Sequence, residues 1–202
     1  LEPTRYRKEY VVAPKCDRRT KAGKALWSEF QADNAGAIVV TQKDWDMVEG
    51  MVAAVESNKD ARDLLSDCLI EQSVFWTDPE FGFPCQCRPD AMKPPYIIDL
   101  KSCQDVTYNA FQRDVVKYKY HWQAAHYLNG LNQVSPGVYT EFVFIAVEKT
   151  PPYTCCVYPM DQGDVESTLM YLTGLYERFA DCLESGVWPE PDPRQMSLPN
   201  WE

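Results

Sequence analysis

Tyr96-Ile97-Ile98-Asp99-Leu100-Lys101-Ser102 is an apolar, β-branched run interrupted by two charges of opposite sign. The apolar character suits a buried strand. Side chains alternate between faces along a strand, so Asp99 and Lys101 share one face while Leu100 takes the other. A carboxylate in that setting needs a cation, and a lysine two residues further on needs a partner, so the pair points to a metal-dependent site. A structural ion pair at a sheet edge gives the same pattern. An acid on the preceding strand strengthens the site over the ion pair.

Such acids lie just upstream. Gln72 to Thr77 is rich in β-branched and aromatic residues, Asp78-Pro79-Glu80-Phe81-Gly82 has turn chemistry, and Cys85 to Asp90 is again extended, which predicts a hairpin. If its strands neighbour Tyr96 to Lys101 in one sheet, Glu71 at the head of the first, Asp90 at the end of the second and Asp99 on the third converge. Three carboxylates suit a hard divalent cation such as Mg²⁺, which takes oxygen ligands and keeps waters for exchange. Lys101 is then placed to orient or activate a water and to offset charge building on a phosphate. The chemistry is that of a phosphodiester hydrolase.

Working outward, Tyr10-Val11-Val12-Ala13 reads as extended, Thr20 opens a helix to about Ala35 closed by Gly36, and Thr41 caps a helix to about Ser57. A short helix is expected at Ala61 to Cys68. Downstream, Tyr108 to Leu131 reads as one long helix, Tyr139 to Val147 and Tyr153 to Tyr158 as strands, and Asp161 to Glu184 as a helix ending near Gly186. The Pro-rich segment from Pro189 to Pro199 reads as an extended arm. The expected fold is α/β, a mixed central sheet with flanking helices. One domain is expected, with residues 1–70 mainly helical, 71–186 the core and 187–202 a tail.

Composition excludes some classes of function. Apolar residues at 45% and charged residues at 25% describe a globular chain. The longest apolar stretches, such as Phe142 to Val147, are far short of the ~20 residues that span a bilayer, so a soluble protein without membrane association is expected. A net charge of −10 excludes nucleic-acid binding by overall charge alone. Locally, however, Lys15, Arg18, Arg19, Lys21 and Lys24 face only Asp17, a patch that is either a solvated helix start or a phosphate grip. The eight cysteines contain no C-x-x-C pair, which favours free thiols in a reducing cytoplasm over disulfides.

Taken together, Glu71-Gln-Ser-Val-Phe-Trp-Thr-Asp-Pro-Glu80, Cys87-Arg88-Pro89-Asp90 and Ile98-Asp99-Leu100-Lys101-Ser102 resemble the nuclease domain of the exonuclease VIII (RecE) family. That family lies in the RecB-like branch of the PD-(D/E)-x-K superfamily. Tyr118-Lys-Tyr-His-Trp-Gln123-Ala-Ala-His-Tyr127 is similar to the branch's Q-x-x-x-Y motif. The likeness extends to Leu1-Glu2-Pro3, Val12-Ala13-Pro14, Arg18-Arg19-Thr20 and Leu198-Pro199-Asn200-Trp201.

The resemblance implies an αβββαβ core in which Asp90 and Asp99 are metal ligands, Glu71 is a further acidic member and Lys101 is the catalytic lysine. Gln123 and Tyr127, four apart on one helix face, are implied to position substrate or water. Arg18, Arg19, Lys21 and Lys24 become candidates for holding DNA phosphates, the arginines first because a guanidinium grips phosphate bidentately. Also implied are Mg²⁺, with Mn²⁺ as a substitute, and 5′-to-3′ degradation of double-stranded DNA ends to leave 3′ tails. The implied partners are a RecT-type single-strand annealing protein and copies of the chain in a ring of three or four, in the cytoplasm of a bacterial host carrying phage or prophage genes. The branch pattern places a G-x-x-x-H motif just ahead of the Leu1 segment, and its histidine completes the metal shell. That histidine is expected upstream unless this copy is impaired, since His121 and His126 read as packing or surface residues. An iron–sulfur cluster is not expected, because Cys85-x-Cys87 and Cys155-Cys156 do not form its ligand set.

Overall fold

A computed structural model describes residues 9–190; the Leu1-Glu2-Pro3 segment and nearly all of the Pro-rich arm fall outside them. In chain order the elements are β1 (Tyr10–Val12), α1 (Lys21–Asp33), β2 (Ile38–Val40), α2 (Gln42–Ser57), α3 (Lys59–Leu65), β3 (Leu69–Ile70), β4 (Val74–Thr77) and β5 (Pro84–Cys87). There follow β6 (Ala91–Lys93), β7 (Tyr96–Cys103), α4 (Tyr108–Lys117), α5 (Tyr120–Val134), β8 (Glu141–Glu148), β9 (Cys155–Pro159) and α6 (Gln162–Ser185). The fold is the expected α/β class, with a mixed five-stranded sheet ordered β3-β6-β7-β8-β9.

Helix starts follow local chemistry. The side chains of Thr20, Thr41 and Asp161 accept from the backbone N–H groups of Gly23, Asp44 and Asp164, taking up donors that a first helical turn leaves unpaired. Gly186, at φ 70°, ends α6 in the left-handed conformation that glycine adopts without a Cβ penalty.

β7 is the centre of the sheet. It pairs antiparallel with β6 and parallel with β8, aligning Asp99 with Phe144 and Lys101 with Ala146. On one face Ile97, Phe142, Phe144 and Ala146 pack with Phe111, Leu128 and Leu172 of α4, α5 and α6. On the other, Ile98, Ile145 and Val147 pack with Val55 and Ala61 of α2 and α3. Asp99 and Lys101 share the parity of Ile97, so both project toward α5.

Three expectations need correction. The hairpin β4–β5 forms, but as a separate two-stranded sheet; the neighbours of β7 on that side are the short strands β6 and β3. Glu71 therefore follows β3 and Asp90 precedes β6, each at a point where the chain passes between the two sheets. The Glu71 N–H donates to the Asp90 carbonyl at 3.1 Å and ties the two crossings together. Secondly, the helix expected from Tyr108 to Leu131 is two helices, broken at Lys119 in the left-handed conformation, φ 62° and ψ 32°. The carbonyl of Val115, near the end of α4, is met by His121 Nδ1 at 3.1 Å. Thirdly, the short helix expected at Ala61 to Cys68 begins earlier, at Lys59, because Asn58 caps it through the Ala61 N–H, and it ends at Leu65.

The hairpin reaches the core through Trp76, buried against α5. A Cβ on Gly130 would sit 2.3 Å from the Trp76 ring, so this glycine is a packing requirement of the helix. Gly130→Ala is expected to lower stability by about 1–3 kcal/mol despite the higher helix propensity of alanine. Chemical denaturation checks this, and a gain in stability would show that Trp76 does not pack as described.

Candidate active site

Asp99 is 1% exposed. Its Oδ1 accepts from Gln123 Nε2 at 2.7 Å. Its Oδ2 forms an ion pair with Lys101 Nζ at 2.5 Å and receives no other donor. Lys101 Nζ also donates to Gln123 Oε1 at 3.0 Å, so carboxylate, ammonium and amide close a three-membered ring of contacts. Because Gln123 has one donor and one acceptor end, its orientation is fixed by the two charges it bridges.

Asp90 joins from β6. The Leu100 N–H, between Asp99 and Lys101, donates to Asp90 Oδ2 at 2.7 Å, so the side chain reaches across to β7 and stands beside Asp99. Burial and the neighbouring Asp90 charge push the Asp99 carboxyl up to about 6, against the opposing pull of Lys101 and Gln123. A carboxylate raised by a second carboxylate is a site where an added cation is favoured. Tyr127, one turn along α5, has its hydroxyl against Gln123 and the Arg88 backbone, and burial raises its pKa.

Thus Asp90, Asp99, Lys101, Gln123 and Tyr127 are brought together, but Glu71 is not. Its exposed carboxylate forms an ion pair with Arg88, and no three His, Cys, Asp or Glu side chains gather into a metal-holding group among the described residues. The converging triad expected from the hairpin is therefore a pair. The physical reason lies at the sheet crossing, where Glu71 adopts a left-handed φ of 50° and stands nearer Arg88 than Asp99. Arg88 escaped notice in the sequence, since an arginine next to a proline in a turn carries no pattern of its own.

The basic patch occupies the start of α1 and the loop before it. Arg19 is paired with Asp17 at 3.0 Å, Arg18 lies 3.4 Å over the Trp27 ring, and Lys21 and Lys24 are exposed. His126 is a packing residue. Its Nε2 faces the Gln86 carbonyl at 3.2 Å and its Nδ1 the Tyr176 hydroxyl at 2.7 Å, and burial lowers its pKa, which suits a neutral ring donating through Nε2. All eight cysteines are free thiols, and no helix among the described residues is long and apolar enough to cross a membrane.

A mixed sheet carrying Asp99 and Lys101 on its central strand, with Asp90 just before the neighbouring strand and Gln123 and Tyr127 on the covering helix, is the PD-(D/E)-x-K nuclease-like fold. The chain belongs to the family described as "PDDEXK-like domain of unknown function (DUF3799)", whose model matches residues 1–192. Among solved structures it is similar to a provisionally named exonuclease from Eubacterium rectale, with a TM-score of 0.61 and 16% identity over 87% of this chain and 71% of that one. The SSO0001 structure aligns with a TM-score of only 0.34 and 12% identity, over 76% of this chain and 68% of that one. No curated protein matches the sequence.

The raised Asp99 group makes stability depend on pH. With a folded value near 6 against the ordinary carboxyl value of 3.8, the folded protein holds a proton that the unfolded chain has released between those limits. The stabilisation is complete below about pH 4 and lost as pH rises through about 6. In metal-free protein, Asp99→Asn should therefore gain on the wild type across that window, by up to about 3 kcal/mol at neutral pH. Denaturation curves at pH 4, 6 and 8 in chelator test this; a difference independent of pH would mean that Asp99 is not raised.

Proposed function

We propose that this protein is a Mg²⁺-dependent exodeoxyribonuclease that acts on double-stranded DNA ends, degrades one strand 5′-to-3′ and leaves a 3′ tail, with Mn²⁺ able to substitute for Mg²⁺. The observation that carries the reading is the buried Asp99, held between Asp90, Lys101 and Gln123. So expensive an arrangement of charge is difficult to justify as packing, and a cation together with a phosphate relieves it.

The donor set fits a hard divalent cation. Mg²⁺ is commonly held by one or two carboxylates together with substrate phosphate oxygens and retained waters, and Asp90 and Asp99 supply two carboxylates, one with an oxygen met by the Lys101 ammonium alone. Asp90 and Asp99 would hold the ion, which supplies polarisation of the phosphate and of a nucleophilic water. Lys101, which pairs with Asp99 Oδ2, would offer its ammonium to the phosphate, offsetting negative charge as it builds in the transition state. Gln123, bonded to both groups, would hold their orientation, and Tyr127 buttresses Gln123.

Strand polarity, a RecT-type annealing partner and a ring of three or four copies follow from the exonuclease VIII resemblance. A ring also has a physical motive: a chain of net charge −10 grips DNA weakly alone, whereas a closed assembly stays on the duplex between cuts by topology. Arg18, Arg19, Lys21 and Lys24 would then face the duplex, once the Arg19–Asp17 pair yields to phosphate.

Incubation with a linear duplex labelled at one 5′ end and with covalently closed circular DNA tests the proposal. The label should be released early in Mg²⁺ or Mn²⁺ and not in chelator, and the circles should persist. Equal activity in chelator would refute the metal-dependent reading. Rapid nicking of the circles would make the protein an endonuclease.

A further inference from the structure

Residues two apart in a continuous helix do not face each other. The left-handed Lys119 breaks the helix, and as a result Tyr118 and Tyr120 stack, with ring centroids 5.6 Å apart and planes 28° from parallel. Lys101 Nζ lies 4.4 Å from the Tyr120 centroid, and Lys117 Nζ lies 4.9 Å from that of Tyr118. A chain of contacts, two stacked rings each met by a lysine, thus connects Lys101, the ion-pair partner of Asp99, to the surface. Tyr118 at its outer end is 53% exposed. Lys119 adds another cation, 5.1 Å over Trp122, and Trp122 in turn meets the exposed Tyr171 with centroids 5.4 Å apart.

Cation–ring contacts of energetic weight occur roughly once per 70–80 residues. Three of the four among the described residues fall on this corner, which isolated surface pairs do not explain. Tyr120 is needed for packing, since it meets Phe111 and Phe144. Tyr118 lies outside both core clusters and is half-exposed, its ring contacts being Tyr120 and the flexible Lys117 side chain.

We propose that the corner from Lys117 to Trp122 binds unpaired nucleotides of single-stranded DNA. A base stacks on Tyr118, and the flanking phosphates lie against Lys117 and Lys119. This rests on the nuclease reading and extends it with a track for the unpaired strand beside the site. Base-on-aromatic stacking tolerates any sequence, because every base has a π-face, and bases inside a duplex are already stacked. The adjoining cleft of about 430 Å³, walled by His121, Trp122 and Tyr171, is lined also by Asp161 and Asp164. Those acids repel phosphate, so the backbone is kept to the lysine side and the bases point toward the aromatic rings.

The experiment is equilibrium binding of a fluorescent oligothymidylate and of a blunt-ended duplex to the full chain in chelator. Tyr118→Ala should weaken oligothymidylate binding about 5- to 100-fold and duplex binding by no more than about twofold. Tyr118→Trp should retain single-strand affinity. Lys117→Ala should flatten the salt dependence of single-strand binding by roughly 0.7 in logarithmic slope. Lys119→Asn should do the same, because asparagine tolerates the left-handed backbone. Unchanged oligothymidylate binding by Tyr118→Ala, or an equal loss on both ligands, would overturn the proposed track while leaving the nuclease reading intact if the wild type cleaves. A wild type that neither binds nor cleaves either DNA would overturn both.

Discussion

The charge on Asp99 governs the rest of this structure. A carboxylate that is 1% exposed in a central strand carries a desolvation cost of several kcal/mol, and each neighbouring element supplies part of the compensation. β7 provides Lys101 on the same face, and α5 lies across that face to deliver Gln123. β6 brings Asp90, which adds a like charge and so keeps the compensation incomplete. The Asp99 carboxyl, pushed up to about 6 by burial and the Asp90 charge, thus gives up its proton less readily than an ordinary aspartate.

Two departures from regular structure shape the surroundings of that charge. The passage between the five-stranded sheet and the β4–β5 hairpin positions Asp90 on one crossing and Glu71 with Arg88 beside it, stitched by a single backbone hydrogen bond. The break at Lys119 lets α4 and α5 differ in direction, so that α5 covers Asp99 and Lys101 while its first turn turns a stack of rings outward. Both are local events of a few residues, and both lie against the site.

Much of this was legible in the sequence because it is local. The alternation in Tyr96 to Ser102 placed Asp99 and Lys101 on one face, the four-residue spacing put Gln123 and Tyr127 together, and Thr20, Thr41 and Gly186 marked helix ends through capping chemistry. The parts that were not legible are non-local or very short. Strands of two and three residues, such as β3 and β6, carry no period, so the sequence pattern points instead to the longer β4 and β5 as the neighbours of β7. The helix break contains neither glycine nor proline, because a lysine bears the left-handed conformation. Glu71 had the residue type and approximate position of a ligand, yet pairing with Arg88 is settled by three-dimensional proximity that the spacing does not encode.

The claim that Asp99, Lys101 and Gln123 form a phosphodiester cleavage centre is tested most directly by single-turnover cleavage of a linear duplex by Lys101→Ala in saturating Mg²⁺. Cleavage should fall at least about 100-fold while the circular dichroism spectrum keeps its wild-type form and Mn²⁺ still binds, because the lysine acts on the phosphate. Cleavage by Lys101→Ala at a rate close to wild type would contradict it.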